Sequence, residues 1–190
     1  MEALFTSTAV VALAEIGDKT QLLAIVLAAR FKKPLPIIAG IFVATLANHF
    51  VAALVGAQVA SILDGQWFRL LIAASFIVMA AWTLIPDKFD EETDAKTARF
   101  GAFWATTIAF FFVEMGDKTQ IATIALGARF HDVITVTMGT TLGMMLANVP
   151  AVFLGHELLN RVPLNVVRYV AAALFLVIGL WVLGQTAGWL

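Results

Sequence analysis

The sequence predicts an all-α integral membrane protein, six transmembrane helices arranged as a 3+3 inverted repeat. Three observations predict it. The 190 residues are 61% hydrophobic and only 13% charged, with a mean hydropathy of +0.92, a composition outside the range of soluble domains. Six apolar segments of roughly 20 residues or more can be drawn, each long enough to cross about 30 Å of hydrocarbon. A seven-residue string rich in charge occurs twice, 99 residues apart, as Glu15-Ile16-Gly17-Asp18-Lys19-Thr20-Gln21 and Glu114-Met115-Gly116-Asp117-Lys118-Thr119-Gln120.

The first segment, 4–29, follows Met1-Glu2 with no basic residue before it, which does not fit a secretory signal peptide, so it is read as a retained helix. Phe31-Lys32-Lys33-Pro34 separates it from the second segment, 35–60, and Asp64-Gly65-Gln66 precedes the third, 67–86. An acidic stretch, 87–99, then divides the chain into a first three-helix repeat (1–86) and a second (100–190). The second repeat holds segments 100–128, 133–157 and 165–187, bounded by His131-Asp132 and Arg161-Val162-Pro163. Period-two alternation is absent and the segments are long, which favours helices over barrel strands.

The duplication reaches past the string. At the same offset Ala29-Arg30-Phe31 matches Ala128-Arg129-Phe130, and Gly40, Gly56, Arg69, Phe76 and Trp82 match Gly139, Gly155, Arg168, Phe175 and Trp181. Two pairings stay open for Asn148: a strict offset aligns it with His49, and a slip of one residue aligns Leu146-Ala147-Asn148 with Leu46-Ala47-Asn48. Three helices per half make the second half enter from the opposite side, and such inverted repeats place transporter sites near the midplane. Glu15 and Glu114 are expected near the middle of helices 1 and 4.

Loop charge gives an orientation. Arg30, Lys32, Lys33, Lys88, Lys96, Arg99, Arg161 and Arg168 fall on the side of the 1–2, 3–4 and 5–6 connections, against Arg69 and Arg129 on the other. The positive-inside rule then puts the 3–4 loop in the cytoplasm and both termini outside. That loop also carries Asp87, Asp90, Glu91, Glu92 and Asp94; a solvated linker is the favoured reading over an antenna for cations. Trp67, Trp104 and Trp189 stand near helix ends, where interfacial anchors belong. A net charge of −1 gives no sign of nucleic-acid binding, and the absence of cysteine removes disulfides and thiolate metal sites.

Charge at membrane depth is costly and marks a pathway or site for something charged. Glu15 and Asp18, three residues apart, share one side of a helix, as do Glu114 and Asp117. Gly17 and Gly116 permit close approach or local unwinding, which frees backbone carbonyls as ligands. Thr20, Gln21, Thr119 and Gln120 add neutral oxygens. The set is a cage of hard oxygen donors suited to Mn²⁺, Ca²⁺ or Mg²⁺. With only His49, His131 and His156 and no cysteine, a zinc or copper site is less attractive. The four carboxylates carry −4 and Lys19 and Lys118 return +2, so −2 remains; one divalent cation or two protons would neutralise it. Closely packed carboxylates in a low-dielectric site also bind protons. Metal and proton competing for one site amounts to a cation/proton antiporter.

The plainer reading, i, i+4 pairing of Glu15 with Lys19 and Glu114 with Lys118, is disfavoured because apolar residues would fill those positions without the desolvation cost. The lysines themselves are read as holding the acids, and Asn48 and Asn148 equally as helix-to-helix glue or as ion contacts. His49 is read as polar lining. No His-Glu-x-x-His, Gly-x-Ser-x-Gly or cysteine nucleophile occurs, so an enzyme is not expected.

The duplicated Glu-x-Gly-Asp-Lys-Thr motif in a six-helix chain of this length resembles the Golgi-type divalent cation/proton antiporter family, whose bacterial branch resembles manganese exporters. The resemblance covers essentially the whole chain, and both motif copies are complete. It implies a cation site built from the acids of both motifs (Glu15, Asp18, Glu114, Asp117), Mn²⁺ or Ca²⁺ as the transported ion with no permanently bound cofactor, and protons and the bilayer as the other partners. The chain lacks the N-terminal targeting segment of the eukaryotic relatives, so the expected place is a bacterial plasma (inner) membrane and the expected function Mn²⁺ export. The alternatives weighed beside it are a Ca²⁺/H⁺ antiporter, a passive cation channel and an organic-cation exporter.

Overall fold

A computed structural model describes residues 1–63, 65–85, 101–155 and 163–189. These form eight helices: α1 (Glu2–Glu15), α2 (Lys19–Phe31), α3 (Pro34–Ile62), α4 (Gln66–Thr83), α5 (Gly101–Glu114), α6 (Lys118–Phe130), α7 (Val133–Leu154) and α8 (Leu164–Ala187). No strand occurs among the described residues. The acidic linker 87–99, the basic residues Lys88, Lys96, Arg99 and Arg161, and His156 lie outside them.

Four single helices, α3, α4, α7 and α8, are long and apolar enough to cross a membrane. The other two expected segments, 4–29 and 100–128, are not continuous helices. Each is divided into a 14-residue and a 13-residue helix, about 20 Å apiece and therefore shorter than the hydrocarbon core. The division falls at the repeated motif, and its cause is local. Gly17 and Gly116 adopt φ of +83° and +77°, a region that costs an L side chain roughly 1–2 kcal/mol and glycine nothing comparable. Asp18 and Asp117 follow in extended conformation, at φ −85°, ψ 170° and φ −79°, ψ 166°. Glu15 and Glu114 therefore end α1 and α5 rather than lying mid-helix.

The same element bounds recur at the 99-residue offset: α1 and α5, then α2 and α6, begin and end at matching residues. So do the turns after them, where Lys32 and His131 take left-handed φ of 52° and 54° and donate their N–H groups to Ala28 and Gly127.

The halves pack on each other through α3 and α7. Gly139 lies against Leu4, Gly143 against Thr8 and Ala12, and Asn148 against Glu15; both residue series rise together, so α7 runs alongside α1 in the same direction. Gly40 against Phe103 and Asn48 against Phe111, followed by Gly56 against Ile124 and Ala128, give α3 the same relation to α5 and α6. The approaches are backbone-close. A methyl group added at Gly40 would stand 2.8 Å from the Phe103 carbonyl oxygen, and one at Gly139 would stand 2.7 Å from that of Leu4. Small residues at such crossings are how membrane helices gain van der Waals contact. α4 and α8 pack on each other through Phe76 and Phe175, with ring centroids 6.3 Å apart.

Burial departs from the pattern of a soluble protein, with polar groups beside apolar ones in the interior and large apolar side chains on the surface. Ser7, Glu15, Thr20, Thr45, His49, Glu114, Thr119 and Asn148 are fully buried, whereas Phe42, Val51, Leu71, Val78, Val177 and Leu180 are exposed. Apolar surface outside and polar groups inside is the arrangement a bilayer selects, so the chain is an integral membrane protein. Trp67, Trp104 and Trp189 are well exposed. One end of the molecule gathers Arg69, Arg129, His131 and Gln185 around a shared cavity, with Glu2 3.7 Å from Arg129.

Candidate functional site

Each motif forms a short break whose glutamine closes it locally and fastens it to the other half. Gln21 accepts from the Gly17 N–H at 2.8 Å and donates to the Ala147 carbonyl at 3.0 Å. Gln120 accepts from the Gly116 N–H at 2.7 Å and donates to Asn48 Oδ1 at 3.0 Å. The oxygen-donor role expected for these glutamines is thus taken up by backbone N–H groups that the break would otherwise leave open. Asn48 in turn donates to the Phe111 carbonyl at 3.0 Å.

The acids are buried and meet partners from the opposite half. Asn148 donates to Glu15 Oε1 at 3.3 Å, and also faces the Met144 carbonyl at 3.1 Å and its sulfur at 2.9 Å. Lys19 Nζ stands 2.8 Å from Asp117 Oδ1, linking the first motif to the second. Thr119 donates to Glu114 Oε2 at 3.1 Å and reaches Asp117 Oδ2 at 3.5 Å. His49 Nε2 lies 3.6 Å from Glu114 Oε2, beyond hydrogen-bonding distance. Glu15, Asp18, Glu114 and Asp117 are all buried.

Of the expected residues, direct contacts join Asn148 to Glu15, Lys19 to Asp117, Thr119 to Glu114 and Gln120 to Asn48. Thr20 is buried with no partner for its hydroxyl, unlike Thr119. The ammonium of Lys118, the counterpart of Lys19, donates to the Ile85 carbonyl at 3.2 Å and lies 5.9 Å from the centre of the Trp82 ring. Among the described residues no three histidine or carboxylate side chains converge as they would around one ion. Glu15, Glu114 and Asp117 are instead engaged by amide, hydroxyl and ammonium groups.

The two open pairings of Asn148 are decided by these contacts. Gln21 meets Ala147 where Gln120 meets Asn48, and Glu15 meets Asn148 where Glu114 meets His49; the strict 99-residue offset holds. His49 thereby stands opposite Glu114 at the position that Asn148 holds opposite Glu15. The sequence carried a signal for it, the strict alignment itself. The carbonyls of Ala147 and Phe111 carried none, since backbone acceptors leave no mark on residue type.

The family described as "Divalent cation/proton antiporter GDT1" matches residues 3–91 and again 102–189, one match in each half. A protein of Vibrio cholerae serotype O1 named "Putative manganese exporter" is 52% identical over 181 residues, 95% of this chain and 90% of that protein. "GDT1-like protein 5" of Arabidopsis thaliana is 26% identical, with 92% of each chain covered. "Protein PAM71-homolog, chloroplastic" of the same plant is 28% identical over 86% of this chain and 54% of its own length. No solved structure matches. Both halves carrying the match, each with its own acidic break, the chain belongs to the divalent cation/proton antiporter family, a family of membrane transporters and not of enzymes.

Proposed function

We propose that this antiporter exports Mn²⁺ from the cytoplasm in exchange for protons, using one site formed by Glu15, Asp18, Glu114 and Asp117 where two inverted three-span repeats meet. Each α1–α2 and α5–α6 pair counts as one broken span in this reading, giving six spans over 1–86 and 100–190. The observation that carries the reading is the joining of the two breaks: Lys19 of one motif pairs with Asp117 of the other at 2.8 Å. Support for inversion comes from the packing, in which α7 runs along α1 and α3 along α5–α6, each half splinting the other's broken span. Manganese is favoured over calcium by the name of the Vibrio cholerae relative.

In the mechanism, Lys19 balances Asp117 while no ion is bound and swings aside as Mn²⁺ enters. The carboxylates then exchange the metal for protons after access has switched sides. Loop charge puts the cytoplasm on the side of the 3–4 connection, with both termini opposite, in a plasma (inner) membrane. The test uses purified full-length protein in liposomes with a metal indicator and a pH dye. An imposed proton gradient should drive Mn²⁺ movement accompanied by counter-movement of protons; metal flux without matching proton flux would identify a channel and overturn the proposal.

A further inference from the structure

We infer that His49 is a ligand to the transported ion and the residue that makes the site favour a transition metal over an alkaline-earth cation. The inference rests on the shared-site reading above and assigns that site a nitrogen donor. His49 is fully buried in α3, and neither ring nitrogen has a hydrogen-bond partner. A buried imidazole normally satisfies at least one nitrogen, because leaving a polar atom dry costs about 1–3 kcal/mol. Its Nε2 instead faces Glu114 Oε2 at 3.6 Å, while Glu114 Oε1 is itself buried without a partner.

Two adjacent ligands of a six-coordinate ion, each at about 2.1 Å, lie about 3 Å apart. A shift of about half an ångström brings the imidazole and the carboxylate to that spacing. The matching position in the other half holds Asn148, whose amide already bonds Glu15 at 3.3 Å. One side of the site therefore offers carboxylate and amide, and the other carboxylate and imidazole. Oxygen-only sites suit Ca²⁺ and Mg²⁺, whereas imidazole suits first-row transition metals; Mn²⁺ accepts both and Ca²⁺ binds nitrogen poorly.

The experiment has two arms on full-length protein. Pulsed EPR of bound Mn²⁺ should show ¹⁴N coupling from an imidazole in the wild type, lost in His49→Asn. Absence of that coupling in the wild type, or its survival in His49→Asn, would overturn the inference. In liposomes, His49→Asn should lower the Mn²⁺ to Ca²⁺ flux ratio by at least about tenfold in direct competition, and an unchanged ratio would overturn it. Should His49→Asn not fold, Asn148→His serves instead: a second nitrogen coupling and a raised ratio support the inference, and no change in either overturns it. The EPR arm is an equilibrium measurement, so wild-type protein that fails to exchange Mn²⁺ for protons breaks the antiport reading while the ligand assignment is still decided.

Discussion

The two breaks carry the same string and adopt the same local fold, yet their surroundings differ. Backbone angles at Gly17 and Gly116 agree within a few degrees, and so do those at Asp18 and Asp117; the Gln21 and Gln120 bonds to the glycine N–H differ by only a tenth of an ångström. Around the first break, Leu164 covers Gly17 and Lys19 reaches across to Asp117. Around the second, Gly116 is exposed, a methyl group added there would meet nothing within 4 Å, and Lys118 turns to Ile85 and Trp82. Seven residues are enough to dictate the break itself. What each side chain then touches is set by the other half, which has diverged.

The largest expected effect tests whether the halves share one site. Glu15→Gln and Glu114→Gln should each reduce proton-driven Mn²⁺ flux in liposomes by roughly 100-fold or more, because each removes a charge that the ion must balance; activity surviving in either would mean that the two breaks work separately. Next come the lysines. Lys19→Met strips Asp117 of its ion pair and should lower Tm in detergent and slow transport by roughly tenfold, the half-exposed setting of Lys19 limiting the loss. Lys118→Met, which leaves the ion pair between Lys19 and Asp117 in place, should slow transport less. Equal effects would erase the asymmetry seen here.

The glutamines sharpen the opposite side of the comparison. Gln21→Leu and Gln120→Leu each remove two hydrogen bonds, about 2 kcal/mol, and should destabilise the protein to the same degree in denaturant or thermal melts. A smaller effect belongs to the glycines: Gly17→Ala and Gly116→Ala each strain the backbone by about 1–2 kcal/mol, with Gly17→Ala the worse because its methyl meets Leu164 Cδ2 at 2.8 Å. The smallest concerns the helix starts after the turns. Asp132 caps α7 by accepting the Thr135 N–H at 3.0 Å, whereas its counterpart Lys33 offers α3 no side-chain cap. Hydrogen bonding from the Thr135 hydroxyl, and with it that backbone bond, holds the Asp132 carboxyl below its ordinary range. The stabilisation is thus present at neutral pH and lost as pH falls through the lowered folded value. Melts of Asp132→Ala and wild type should converge in acid, and Lys33→Asp should gain a similar pH-dependent increment.

Much of this was legible in residues. The duplication and the apolar helices follow from apolar length and from charges that recur at one spacing. Local unwinding at Gly17 and Gly116 was legible as a possibility, since glycine before an extended aspartate invites it. That it divides each segment into two helices was not, because hydropathy is blind to backbone direction. The partners of Lys19 and Lys118 were equally hidden: identical residues in corresponding places meet Asp117 on one side and Ile85 and Trp82 on the other.

The splinting of each broken span by the other half's intact helix bears on how the protein is made. When synthesis has delivered α1 to α4, Gln21 and Glu15 have no Ala147 or Asn148 to meet, since those residues emerge more than a hundred positions later. The first break must wait in the membrane without its brace until α7 arrives. The bonds of Gln21 to Ala147 and of Asn148 to Glu15 accordingly form only after most of the second half has been made, and a product truncated before α7 lacks both.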